Sequence, residues 1–177
     1  MDLSRVLPVA IPIARIWVRS QRNRYRFCDQ ARSLTEIETA VLSPFFASEI
    51  LEQVRVAEVF GIPNPWFYSL LQRLGIKPPL DISHVGAITF DDTVVVARRE
   101  NEAIRGWHPL LFHELVHVVQ YASLGPDMFL DKYLRGLAAA DMDYYRNPFE
   151  REAYALQRRF ESAPHIPFSV AGELQTK

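Results

Sequence analysis

The residues of this chain best able to do chemistry are His113 and His117, four positions apart, with Glu114 between them. On a helix, positions i and i+4 share one face about a turn apart. That spacing lets two imidazoles meet one tetrahedral zinc ion at roughly 2.0–2.1 Å. Glu114 stands about 100° round such a helix from His113 and about 60° from His117. Its carboxylate can lean over the same ion without binding it, and take a proton from a water that the ion has made more acidic. The whole His-Glu-x-x-His pattern on a helix is therefore a zinc-binding and proton-transfer signature. Leu115, Phe112, Val119, Ala122 and Val118 fall on the opposite side. The polar arc holds His113, Glu114, His117, Gln120 and Tyr121, with none of the lysines expected of a surface helix. The spacing predicts a helix buried on its back and facing a cleft. The plainer alternative is a core helix with two hydrogen-bonded histidines.

A catalytic zinc takes three protein ligands and leaves one position open. His84, His108 and His165 do not extend the pattern, since Gln120-Tyr121-Ala122 follows the second histidine. A downstream acid is the better candidate. Asn147-Pro148 opens a predicted helix with Glu150 and Glu152 in its first turn. Both flank its apolar stripe of Phe149, Ala153, Leu156 and Phe160, so periodicity does not choose between them. Glu150 also stands three residues after Asn147, as in a capping box, where an acid is favoured anyway. Tyr121, Tyr144 and Tyr145 are candidate donors to a developing oxyanion, or else core and rim aromatics. His108 reads as a packing residue at the helix start, and Asp141 and Asp143 as loop or capping residues.

Leu111 to Tyr121, followed by Asn147-Pro148-Phe149-Glu150-Arg151-Glu152-Ala153-Tyr154, resembles the gluzincin group of zinc metallopeptidases. It is particularly similar to small bacterial peptidase-like domains with a His-Glu-Leu-x-His-Val-Val-Gln core. The resemblance covers Gly86 to Phe160. It implies a single zincin-like domain, with Zn2+ held by His113, His117 and Glu150 and with Glu114 as the general base. The family's aspartate four residues after the third ligand is Tyr154 here, which leaves Glu152 open as an alternative ligand. The implied activity is hydrolysis of a peptide or protein substrate, the peptide lying along the edge of the 87–97 strand. The alternative is a non-proteolytic zinc-binding or interaction module on the same scaffold, and the small size suggests either a shallow cleft or a protein partner that completes it.

The elements that must position these residues read as one domain over 1–177, mainly α (α+β): a helical part over 1–80 and a metal-binding core over 86–161. Helices are expected over 34–42, from Ser43-Pro44 to about Val59, over 66–74, 109–124, 127–137 and 147–161, with an irregular tail from Pro164. Gly86 to Ala97 is rich in β-branched residues around Asp91-Asp92 and reads as a strand or tight hairpin before the metal helix. Leu3 to Val18 is apolar but broken by Arg5, Pro8, Pro12 and Arg15. It reads as a segment packed on the domain, not a membrane span or a secretory signal, with peripheral membrane contact as the alternative. The basic run Arg19 to Arg26 reads as a solvated face. A net charge of −1 does not suit a nucleic-acid partner. The single cysteine, Cys28, reads as a core thiol and suits a reducing compartment such as the cytoplasm.

Overall fold

A computed structural model describes residues 7–73, 75, 81–97 and 106–175. The polar loop expected before Gly106, the Pro78-Pro79 break and the first six residues lie outside these. The fold is mainly α with a small four-stranded sheet. Helix α1 (Leu7–Arg26) is followed by β1 (Ala31–Arg32), α2 (Glu36–Leu42), α3 (Ser48–Gln53), β2 (Arg55–Val59) and α4 (Tyr68–Arg73). Then come β3 (Ala87–Phe90), β4 (Thr93–Ala97), α5 (Trp107–Leu124), α6 (Pro126–Ala139), α7 (Pro148–Ser162) and α8 (Val170–Gln175). No helix among the described residues is long and apolar enough to cross a membrane.

The expected hairpin is present: β3 and β4 pair antiparallel, Phe90 opposite Thr93, with Asp91 in the left-handed region at φ 61°. It belongs to a larger sheet of order β1-β2-β4-β3, in which β2 runs parallel to β4. This corrects the helix expected from Pro44 to Val59. Ser43 closes α2 by donating its N–H to the Thr39 carbonyl, and the chain turns extended at Val54. Helical spacing in Arg55–Val59 loses to pairing with Thr93–Ala97, which buries Val56 and Ala57 on opposite faces of the sheet. The tail is also more ordered than expected, since α8 seats Val170 in the core.

Period-two alternation divides the sheet's side chains between two apolar clusters. Val56, Val94 and Val96 join Leu42, Phe112, Leu115 and Phe160 on one side, where Phe112 stacks on Phe160 with ring centroids 4.6 Å apart. Ala57, Val95 and Phe90 join Val18, Tyr25, Tyr121 and Phe129 on the other. Both halves of the chain thus build both clusters. The apolar N-terminal segment forms α1 straight through Pro12, which lies on the exposed face, where a missing helical hydrogen bond costs least. The basic run at its end is only partly a solvated face. Arg22 grips Asp92 with two hydrogen bonds of 2.9 and 2.6 Å, and Arg26 joins the same carboxylate at 3.1 Å.

The N-terminal half is tied to the start of α5 through one carboxylate. Thr35 and Glu38 form a capping box on α2, and buried Glu38 also takes two bonds from Arg32 and one from the Trp107 indole at 2.9 Å. Burial opposes ionisation of Glu38, but the Arg32 guanidinium, the Thr35 N–H and the Trp107 indole outweigh it and hold its pKa at about 2. A depressed folded-state pKa contributes stability that is complete above the ordinary carboxyl range near 4.5 and is lost as the pH falls through about 2. Glu38→Gln should therefore cost about 2 kcal/mol at neutral pH, Arg32 being partly exposed. Urea unfolding of both proteins between pH 2 and 7 should show that gap closing toward pH 2. A gap independent of pH would contradict this role.

Candidate metal centre

The two histidines lie on α5, which Gly125 ends at φ 77° by donating its N–H to the Tyr121 carbonyl. Residues 111–121 are buried without a break, because α5 packs against the sheet, α6, α7 and α8 together. The expected cleft-facing arc is therefore an enclosed one: His113, Glu114 and His117 are 4%, 5% and 6% exposed. Glu150, on the first turn of α7, is 2% exposed and points at the same place. The ligand atoms of His113, His117 and Glu150 all lie within 4.8 Å of one another, a group that can hold a metal ion.

Hydrogen bonds fix which atoms face inward. His113 Nδ1 is 3.0 Å from Gln157 Oε1, and His117 Nδ1 is 2.8 Å from Gln120 Oε1. The amide orientations follow from their other ends. Gln157 Nε2 donates to Glu161 Oε1, and Gln120 Nε2 donates to the Phe149 carbonyl and to Glu152 Oε2. Each glutamine must turn its oxygen to a histidine, so each Nδ1 carries the proton. Both Nε2 lone pairs are then left facing each other, 3.2 Å apart. Glu150 Oε2 lies 3.3 and 3.4 Å from those nitrogens, within ion-pair reach, yet it makes no hydrogen bond. Three buried acceptors converging on one point are unfavourable unless a cation sits among them.

Burial pushes the His117 imidazole down, but the Glu150 carboxylate outweighs it and raises His117 to about 9. Glu150 is held well below the carboxylate range, burial being outweighed by His117 and its other donors. Two imidazoles and a carboxylate are a donor set suited to zinc and its first-row neighbours.

Glu150 reaches this position because α6 and α7 approach closely. A Cβ at Gly136 would come within 3.0 Å of Pro148 and 3.3 Å of the Asn147 side chain. One turn earlier on α6, Tyr133 donates to Glu150 Oε1 at 2.7 Å. Asn147 caps α7 by accepting from the Phe149 N–H, while its own N–H goes to the Tyr144 carbonyl. Glu150 therefore forms no capping box and turns to the histidines. Burial, and then the charge of Glu150, push the phenols of Tyr133 and Tyr144 up, so both remain protonated donors.

Glu114 is fixed by the hairpin. Thr89 Oγ1 on β3 donates to Glu114 Oε2 at 2.7 Å and lies 3.1 Å from the Glu114 carbonyl oxygen. Glu152, the other candidate ligand, is not brought to the histidines but holds Gln120. Tyr154 packs its ring on His113, centroids 4.4 Å apart, while Gln157 supplies the bond to His113 Nδ1. Tyr121 is a core residue packed at a tilt against Phe129, Tyr145 is exposed, and His84 pairs with Asp81. Asp143 caps the short turn Tyr144–Arg146, as expected of a capping residue.

The sequence reading missed Thr89, Tyr133 and Gln157. Gln157 carried a signal, since it lies seven residues after Glu150 on the same helix face. Thr89 and Tyr133 are set by tertiary packing alone. If the glutamines set the tautomers, Gln120→Leu and Gln157→Leu should each weaken metal affinity about 10–100-fold without unfolding the chain. Chelator competition measures this, and unchanged affinity in both variants would remove the tautomer argument.

No family model matches this chain, and neither a curated protein nor a solved structure matches it, so what the site can do rests on its own geometry.

Proposed function

We propose that the chain is a zinc-dependent hydrolase of the peptidase type, with His113, His117 and Glu150 as metal ligands and Glu114 as the general base. The observation that carries this reading is the convergence of three buried acceptors beside a second, non-ligating carboxylate. A bound zinc ion would make a water acidic near neutral pH and polarise a carbonyl group.

The chain's own residues supply the rest. Thr89 holds one oxygen of Glu114, leaving the other to accept the water's proton and pass it to the leaving nitrogen. Tyr144 stands beside Glu150 as a neutral donor for the charge that develops on the carbonyl oxygen. β3 is an edge strand and carries Thr89, so an extended substrate paired along it would be aligned with the base.

Burial of the whole set favours the second reading, a zinc-binding module without proteolysis, which has no use for Glu114. The two readings separate in one variant. Glu114→Gln should keep one equivalent of zinc and lose about 10²–10⁴-fold in turnover. Full turnover in this variant would sink the mechanism, and zinc without cleavage across a broad peptide library would favour the module. His117→Ala and Glu150→Ala should lose the metal, read by metal analysis after dialysis. Retention of a full equivalent in either would remove it from the ligand set.

A further inference from the structure

The sequence leaves the apolar N-terminal segment without a role beyond packing, yet its inner face lines a cavity whose wall also includes residues of the candidate metal centre. A cavity of about 220 Å³ lies between α1, the 65–71 segment, β3 and α6, and Glu114, His117 and Glu150 form part of its wall. Ala10 and Ala14, one turn apart on α1, leave room that larger side chains would fill. Trp17, Phe67, Leu71 and Leu134 close the sides. The only acidic or basic residues lining it, among the described residues, are those three members of the metal centre. A charged group entering beyond them would find no partner.

Size and polarity narrow the occupant. Since an apolar cavity of about 150 Å³ takes a six-carbon benzene ring, the space holds roughly seven to nine chain carbons. That exceeds any single aliphatic side chain. Two consecutive apolar residues would bring peptide N–H and C=O groups into a wall that is almost entirely carbon, and each unpaired group would cost free energy. An acyl chain brings none.

We propose that this cavity holds the acyl chain of an N-acylated substrate, about seven to nine carbons long, whose amide carbonyl lies at the metal centre. The proposal rests on the hydrolase reading and names its substrate class. Water adds to the carbonyl carbon and the C–N bond breaks. The water's proton passes through Glu114 to the leaving nitrogen, giving a carboxylic acid and an amine, with no oxidant or reductant required. An acylated peptide could still lie along β3 on its amine side.

The test uses the full zinc-loaded chain and a series of straight-chain alkyl hydroxamates from two to twelve carbons, titrated by calorimetry. Affinity should rise about fourfold per added methylene and level off near eight carbons. A flat series overturns the proposal, and so does tighter binding by an N-blocked leucyl-leucine hydroxamate than by octanohydroxamate. Ala14→Phe and, as a second variant, Ala10→Phe should fold, keep one equivalent of zinc and lose the chain-length dependence. Unchanged dependence in either folded variant also overturns it. Metal-free protein titrated with 1-butanol to 1-octanol, read through Trp17 fluorescence, should show the same dependence, removed by Ala14→Phe. A chain that binds no zinc but keeps this alcohol dependence refutes the hydrolase reading alone, whereas a zinc-loaded chain with a flat hydroxamate series refutes the acyl site.

Discussion

The structure is organised around an electrostatic conflict: two imidazole lone pairs and a carboxylate oxygen, all buried, all acceptors, all aimed at one point. Left alone, such a group would relax by rotating a ring or turning the carboxylate away. Each escape is blocked by a hydrogen bond from elsewhere. The glutamines hold the rings, Tyr133 holds the other oxygen of Glu150, and the α6–α7 approach at Gly136 keeps that tyrosine in range. The conflict is imposed by the surrounding fold, and this is what makes the site receptive to a cation.

How much of this the sequence reveals depends on whether local or long-range contacts decide each element. His113 and His117 share a face because of helix geometry, and α5 follows its expected course to Gly125. The Asp91-Asp92 turn is equally local. β2 was unreadable because its five residues take their conformation from a partner strand almost forty positions later. The choice of Glu150 over Glu152 was open for a similar reason. Both lie at similar angles from the apolar stripe of α7, and only the placement of α6 and α5 around that helix directs one to the histidines and the other to Gln120.

The N-terminal half shows the same division. Composition marked Leu3 to Val18 as a segment packed on the domain, and α1 does bury Ile11, Ala14 and Val18. Nothing in its pattern could reveal that Ala10 and Ala14 line a cavity shared with Glu114, His117 and Glu150, since small residues on a helix face read simply as close packing. The arginines after it were equally ambiguous. Arg22 and Arg26 reach the hairpin turn that precedes Thr93, so the same helix that walls the cavity also braces the sheet beside it.

The parallel pairing of β2 with β4 carries a consequence for how the chain folds. Strands so far apart meet only after a long intervening segment has closed, and that segment includes β3 and its Thr89. The entropy of closure is lost before the pairing returns it, which makes this sheet a slow step compared with forming α5 or α7. The histidines can therefore adopt their helical spacing early, while Glu114 acquires its hydrogen bond from Thr89 only once the sheet is complete. The spacing of the two histidines is then a property of one early-forming helix, and the placement of Glu114 and Glu150 a property of the finished topology.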